Sequence, residues 1–206
     1  MNREKEFARS LIDFIDNGPS PFHVVKEAEE LLCEKGFEEL KLSDSWTLEK
    51  EGKYFVKSNS SALIAFRVGK GNLEEDGFKL IGAHTDSPTF RIKPKPEIDV
   101  EGKYLKLNTE VYGGPILSTW FDRPLSLAGR IAVRTQNPLR PKEVIVDMED
   151  PIMIIPNLAI HMNRKVNEGV NINPQVDTLP LLSMIEEGFE KEDYLEEREF
   201  NRKSLT

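Results

Sequence analysis

The chain has 206 residues, of which 38% are hydrophobic and 31% charged, which is typical of a soluble globular protein in one large domain or two small ones. Its net charge of −8 argues against a nucleic-acid or anionic-membrane partner, because phosphate binding needs a basic face. The single cysteine, Cys33, excludes an internal disulfide, and neither a signal peptide nor a membrane-length apolar run is visible, so we expect a cytoplasmic protein.

Two helices are predicted at the start of the chain. The first has apolar residues spaced along one helical face, at Phe7, Leu11, Phe14 and Ile15. Asn17-Gly18-Pro19 ends it, and Ser20 and Pro21 begin the second helix as N-cap and first helical residue. Gly36 is expected to stop that helix. Its predicted buried face holds Val24, Ala28, Leu31 and Leu32.

Strands are predicted next, at Tyr54–Val56 and Ala62–Val68. Gly69–Asn72 reads as a turn, and the acidic residues Glu74–Asp76 as an exposed loop. The apolar run Phe78–Ala83 then predicts a further, buried strand. Helices followed by strands favour an α/β or α+β layered fold.

The sequence pattern changes beyond Pro94-Lys95-Pro96, where short runs of β-forming residues are separated by Gly, Pro and Asn. These runs are Tyr104–Leu107, Ile116–Phe121, Ser126–Arg134, Val144–Met148 and Ile152–Ile155. We therefore predict a boundary near Pro94, with an α/β domain over residues 1–94 and a β-rich domain over residues 95–206. Leu181, Leu182 and Ile185 predict a last helical patch, followed by a charged tail over residues 186–202.

His84 and Asp86 directly follow the predicted strand that ends at Ala83. Strand ends at the open mouth of an α/β sheet are where sites are usually built. Neutral imidazole is a metal ligand, and an Asp two residues on can accept the other ring N–H. From the spacing alone, a metal site and a histidine that caps a turn both stay open.

The other candidate residues have structural readings. His161 follows Pro156 in a short helix or turn, where a lone histidine is more typical of a surface or an interface than of a ligand. His23, on the second helix, is expected to be structural. Asp122 could be a bridging carboxylate, but an Asp–Arg turn pair with Arg123 is favoured.

Four segments in order together resemble the M18 metallo-aminopeptidases, the relatives of aspartyl aminopeptidase and aminopeptidase I. They are Phe14–His23, Ile81–Pro88, Thr119–Arg130 and Ile155–His161. The resemblance implies an α/β catalytic domain of the phosphorylase/hydrolase-like, zinc-peptidase type, interrupted by a β-rich dimerisation domain. It also implies peptide substrates and a homo-oligomer built from dimers.

The resemblance further implies a site with two zinc ions, although other divalent metals can serve such hydrolases. His84 is then a zinc ligand, and Asp86 is the catalytic-site carboxylate that orients it. His161 falls on a family histidine that is either a metal ligand or a group that reaches substrate in the neighbouring subunit's active site, and the second role is favoured. A glutamate would take the proton of the metal-bound water.

One departure from the family pattern qualifies these expectations. The family's bridging Asp, Glu pair and last His lie downstream of the interrupting domain, and no histidine follows His161 in this chain. The pairs Glu186-Glu187 and Glu196-Glu197 lie in the charged tail and are not assigned catalytic roles. We therefore expect an incomplete, inactive chain. A non-catalytic assembly module, a degenerate paralogue, and a one-zinc site of His84, His161 and a carboxylate are the alternatives.

Overall fold

The computed structural model describes residues 3–137, 139–169 and 171–185. It is an α/β fold with mixed sheets. The described helices are α1 (Arg3–Asp16), α2 (Pro21–Glu34), α3 (Leu73–Asp76) and two 3-10 helices (Leu117–Trp120 and Val166–Glu168). The described strands are β1 (Glu38–Glu39), β2 (Lys53–Ser58), β3 (Ala62–Arg67), β4 (Thr89–Val100), β5 (Tyr104–Tyr112), β6 (Pro124–Leu125), β7 (Ala128–Val133), β8 (Lys142–Asp147), β9 (Met153–Ile154) and β10 (Leu181–Met184). No described helix is long and apolar enough to cross a membrane.

The chain forms two compact units. The first contains the described residues up to Ser87 together with Ala128–Met148, and the second contains Pro88–Leu127 together with the described residues from Glu149 onward. The hairpin of β7 and β8 therefore belongs to the first unit, although it follows β4 and β5 of the second unit in sequence. Pro94 lies inside β4, and the domain limits 1–94 and 95–206 stay a prediction.

Both predicted helices are present in the first unit. Ser20 is the N-cap residue of α2, Pro21 is its first residue, and Gly36 follows the helix with a φ of 74°. The predicted buried faces are wrong in part, because Val25 is the buried residue of α2 and Phe7 on α1 is 77% exposed. Other apolar residues of the predicted faces are also exposed, namely Leu11, Ile15 and Leu31. The described residues therefore cover these side chains only in part.

The first sheet has the strand order β1-β2-β3, with β1 parallel and β3 antiparallel to β2. Tyr54, Phe55 and Val56 of β2 are all buried, as expected for a central strand covered on both faces. Lys57 ends this run and binds Glu29 of α2 at 2.7 Å and Glu39 of β1 at 3.2 Å. One lysine therefore ties α2 to two strands of the sheet.

The predicted strand at Phe78–Ala83 is absent. These residues follow the short helix α3 and have no regular secondary structure, and Leu80 and Ile81 are 90% and 99% exposed. A strand requires a partner whose backbone groups it can bond. Among the described residues, nothing pairs with this segment, so its apolar pattern alone did not make it a strand.

The second unit has a five-stranded sheet in the order β4-β5-β10-β9-β6. Its core holds Leu105, Leu107, Met153 and Leu182. The register between β4 and β5 shifts between Ile92 and Glu97, where Pro94 and Pro96 cannot donate to the ladder.

Two secondary-structure predictions in this unit are wrong. Residues 116–121 were expected to form a strand, but Leu117–Trp120 form a 3-10 helix. The helical patch expected at Leu181–Ile185 is instead β10, which inserts between β5 and β9 and buries Leu182 against Leu105. The helical prediction depended on the spacing of only three apolar residues. Pairing and burial between two strands stabilise the extended conformation more than this weak spacing favours a helix. The charged tail lies outside the described residues.

Candidate functional site

His84 is exposed, and one of its two ring nitrogens is hydrogen-bonded. Its side chain is 80% exposed, and its Nδ1 lies 2.6 Å from the backbone carbonyl oxygen of Asp86 and 3.2 Å from the Oδ1 of the same residue. The intervening Thr85 donates its hydroxyl to the carbonyl of Ser61 at 2.8 Å. That bond fixes the His84–Asp86 turn to the connection between β2 and β3.

This geometry selects one tautomer of His84. A carbonyl oxygen only accepts, so Nδ1 carries the proton and donates it to Asp86. Nε2 is then left with its lone pair, which is the arrangement found in metal-ligating histidines. The turn can therefore present one imidazole nitrogen to a metal ion. It does so from a loop, and not from the end of a strand as predicted.

Asp122 has a different partner from the one predicted. Its Oδ1 accepts the backbone N–H of Asn157 at 3.0 Å, and its Oδ2 accepts the Asn157 Nδ2 at 2.9 Å. These hydrogen bonds lower the pKa of Asp122 below its ordinary value of 3.8. The expected Asp–Arg turn pair is wrong, since Asp122 and Arg123 form no ion pair within the described parts of the chain.

The Asp122–Asn157 pair joins two of the segments singled out in the sequence. The backbone N–H of Asp122 also bonds the carbonyl of Ile155 at 2.9 Å, and Phe121 bridges Ile155. Trp120, just before them, meets the ring of Phe90 edge-on at 5.0 Å. The sequence did not predict this pair. The signal it offered was that Asp122 precedes Arg-Pro and that Asn157 follows a Pro, which are both patterns typical of turns.

His161 is exposed and lies in the turn that follows Pro156. The carbonyl of Ala159 accepts the backbone N–H of Met162 at 2.8 Å and of Asn163 at 3.1 Å, which closes the turn. His161 belongs to the second unit and His84 to the first. The structure thus places both predicted histidines on accessible loops.

His23 fits its predicted structural role. Its Nδ1 lies 2.7 Å from the hydroxyl of Ser20, at the start of α2. Partial burial lowers the pKa of His23 below 6.5, an effect opposed by the negative charge of Asp147 and assisted by the positive charge of Lys26. The ring is therefore neutral at physiological pH.

The described residues do not form a complete metal site. No group of three His, Cys, Asp or Glu side chains comes together in the part of the chain that the structure describes. A protein zinc site needs about three or four such ligands. The described residues offer one oriented imidazole, which does not by itself fit a stably held zinc ion and does not support the one-zinc alternative.

Comparison with known proteins decides the family. The pattern of the family described as aminopeptidase I zinc metalloprotease (M18) matches residues 14–205. The chain belongs to the M18 family. A probable M18 family aminopeptidase 2 of Clostridium acetobutylicum is 62% identical over 195 residues, which cover 95% of this chain but 45% of that protein. The resemblance drawn from the four sequence segments is confirmed.

Solved M18 structures share the fold. The chain superposes on the cryo-EM structure of the Ape4 and Nbr1 complex with a TM-score of 0.84 and 38% identity, covering 91% of this chain and 36% of that one. It superposes on the S. cerevisiae mApe1 dodecamer with a TM-score of 0.69 and 25% identity, covering 90% of this chain and 49% of that one. The chain thus spans about half or less of the length of the M18 relatives it matches.

Proposed function

We propose that this chain is the N-terminal part of an M18 zinc aminopeptidase, which removes N-terminal residues from peptides in the cytoplasm. The observation that carries the proposal is the His84 turn, in which a bond from Nδ1 to Asp86 leaves Nε2 open. Zinc in such enzymes activates a water and polarises the scissile carbonyl, and two ions are expected in the complete site. His84 would supply one ligand, with Asp86 orienting it.

The remaining ligands and the general base are proposed to come from sequence beyond this chain. The support is the lack of a three-ligand group among the described residues and the 45% coverage of the Clostridium acetobutylicum relative. The isolated chain should accordingly hydrolyse no aminoacyl substrate and bind zinc weakly. Tight, stoichiometric zinc together with turnover by the 206-residue chain alone would contradict this.

The test joins this chain to the part of the Clostridium acetobutylicum relative that follows the matched region. The fusion should hydrolyse an aminoacyl anilide in the presence of zinc, whereas the unfused chain should not. His84→Ala in the fusion should abolish the activity and lower the zinc content measured by mass spectrometry. An unchanged zinc content in His84→Ala would refute the ligand role.

His161 is proposed to reach substrate in the active site of a neighbouring subunit. Its exposure in a fixed turn supports this, as does the similarity of the chain to a protein solved as a dodecamer. The assembly would be a homo-oligomer with a dimer as its building block.

Mixing two inactive variants tests the role of His161. In a dimer of His84→Ala and His161→Ala fusions, one site has both histidines intact if His161 acts across the interface. Random exchange should then restore about a quarter of the wild-type activity, since half of the dimers are mixed and each has one working site. If His161 acts within its own subunit, the mixture stays inactive.

A further inference from the structure

The turn between α1 and α2 contains Asn17-Gly18, the one Asn-Gly pair in the sequence. The side-chain carbon of an asparagine can be attacked by the backbone nitrogen of the next residue. Glycine presents that nitrogen with no Cβ beside it and with the widest choice of backbone angles. Asn17 is exposed, so the reactive pair is also accessible to water.

The packing of α1 against α2 requires glycine at position 18. A Cβ on Gly18 would lie 2.9 Å from Cγ2 of Val24, on α2, and 3.1 Å from the carbonyl oxygen of Phe14, on α1. Both distances are shorter than carbon atoms normally allow, so any larger residue would push the two helices apart. The close approach of the helices therefore keeps in place the residue that makes Asn17 reactive.

Three hydrogen bonds hold this turn closed. The backbone N–H of Asn17 donates to the carbonyl of Asp13 at 3.0 Å, and that of Gly18 donates to the carbonyl of Ile15 at 3.1 Å. The side-chain Nδ2 of Asn17 donates to Oε1 of Glu27 at 3.2 Å. These bonds engage the proton that the Gly18 nitrogen must lose and restrain the amide that it attacks. The reaction therefore requires the turn to open first.

The end of α1 has few interactions that oppose this opening. No residue of α1 is buried along its described length, Arg3–Asp16, and exposed helix ends open at a low cost in free energy. The last turn of α1 has no basic side chain but contains Asp13 and Asp16, which the negative end of the helix dipole disfavours. The population of the open turn is therefore expected to set the rate of the reaction.

We propose that Asn17 is a site of spontaneous deamidation, and that the carboxylate formed there separates α1 from α2. The nitrogen of Gly18 bonds to Cγ of Asn17, and the Cγ–Nδ2 bond breaks. The leaving amide nitrogen takes up the proton lost by Gly18 and departs as ammonia, which leaves a cyclic imide. Water then opens either C–N bond of the imide ring, giving aspartate or isoaspartate. Water is the only co-reactant, and nothing is oxidised or reduced.

The charge of either product accounts for the separation of the helices. Asn17 donates to Glu27, whereas a carboxylate only accepts, so the hydrogen bond is lost and two negative groups face each other. Asp13 and Asp16 add further negative charge at this end of α1. The isoaspartate product also lengthens the backbone by one carbon directly before Gly18, where the packing is already tight.

The experiment incubates the 206-residue chain at mildly alkaline pH, both folded and denatured in guanidinium chloride. Peptide mass spectrometry follows the conversion of amide to acid at each asparagine, and cleavage by an endoproteinase specific for aspartate separates the two products. Conversion should be fastest at Asn17. It should be about tenfold slower in the folded chain than in the denatured chain, because only the open turn reacts.

Three variants separate the reaction from its consequence. Asn17→Gln keeps the amide, but its longer side chain closes the imide ring much more slowly, so conversion at this position should disappear. Asn17→Asp carries the product charge from the start, and its amide hydrogen exchange over residues 11–16 should be about tenfold faster than in the parent. Adding Glu27→Gln to Asn17→Asp removes the repulsion and supplies a new amide donor, so slow exchange should return.

The contrary results are distinct for each step. Equal rates of conversion in the folded and the denatured chain would contradict the protection by the turn. Faster conversion at another asparagine, such as Asn59 before Ser60, would exclude Asn17 as the preferred site. Unchanged exchange in Asn17→Asp, or fast exchange that Glu27→Gln does not correct, would overturn the proposed separation of α1 from α2 by charge.

Discussion

Asp122 holds Asn157 at two atoms, accepting its backbone N–H at 3.0 Å and its side-chain amide at 2.9 Å. The pair connects the residues after the 3-10 helix at Leu117–Trp120 to the segment that leads to His161. Asp122 adopts a φ of 56°, a left-handed conformation that Asp and Asn tolerate better than most residues. A single carboxylate therefore fixes both a local turn and a contact 35 residues away in the chain.

Replacing this carboxylate should destabilise the second unit. Asp122→Ala removes both acceptors and places a less tolerant residue in the left-handed region, so its melting temperature should fall. Asp122→Asn keeps one acceptor oxygen, and Asn also tolerates the left-handed conformation, so its melting temperature should fall by less. Thermal unfolding followed by Trp120 fluorescence, in a background that carries Trp46→Phe, reports this unit. Equal melting temperatures for Asp122→Ala and the parent would contradict the prediction.

The same pair should produce an acid dependence of stability. The hydrogen bonds from Asn157 lower the pKa of Asp122, so its contribution is present above pH 3.8 and is lost as the pH falls through the lower folded value. Asn157→Ala removes the side-chain bond and should flatten the loss of stability below pH 3.8. Urea unfolding at a series of pH values between neutrality and the acid limit measures the difference. Parallel curves for parent and variant would rule this out.

His23 should make the first unit less stable in mild acid. Because burial lowers its pKa below 6.5, the unfolded chain takes up a proton there before the folded chain does. Stability is therefore undiminished above pH 6.5 and declines as the pH falls from 6.5 toward the folded value. His23→Gln, which keeps a partner for Ser20, should remove this slope. Urea unfolding at pH 7.5 and pH 5 tests it, with an unchanged slope as the contrary result.

Lys57 should contribute more to stability than an exposed lysine on α2. Burial lowers the pKa of Lys57, but hydrogen bonds to Glu29 and Glu39 outweigh this and raise the pKa above 10.5, so the contribution is present at neutral pH and is lost as the pH rises through the folded value. Lys57→Met should cost about 1 kcal/mol in free energy of unfolding at pH 7. Lys26→Met, which breaks the exposed pair with Glu30, should cost less than about 0.5 kcal/mol. Equal losses of unfolding free energy in the two variants would show that Lys57 contributes no more than an exposed lysine.

Asp86→Asn should weaken metal binding without abolishing it. The shorter contact to His84 Nδ1, at 2.6 Å, is to the backbone carbonyl, and the carboxylate oxygen lies at 3.2 Å. The tautomer therefore survives the substitution, and zinc affinity of the active fusion should fall about tenfold, at the low end for a residue that orients a ligand. Zinc titration with a competing chelator measures this. A loss as complete as that of His84→Ala would show that the carboxylate is itself a ligand.

The sequence by itself determined the elements whose signals are local. The ends of α2 follow from Ser20, Pro21 and Gly36, because capping residues act within a few positions of the chain. The positions of β2 and β3 were also predicted, since the two strands pair with each other. The predicted strand Tyr54–Val56 lies inside β2, and the predicted strand Ala62–Val68 extends one residue beyond β3. The ordered segments also determined the family, which the comparison confirmed.

Only the tertiary structure decided the features that depend on partners distant in sequence. Phe78–Ala83 has the pattern of a strand, but no strand of the described residues pairs with it. Leu181–Met184 has a weak helical spacing and is nevertheless a strand, because β5 and β9 enclose it. Asp122 binds Asn157 and not its neighbour Arg123, because the fold brings the distant residue closer. Local sequence sets which conformations a segment can adopt. Which one it takes depends on the hydrogen-bonding and apolar partners that the rest of the molecule supplies.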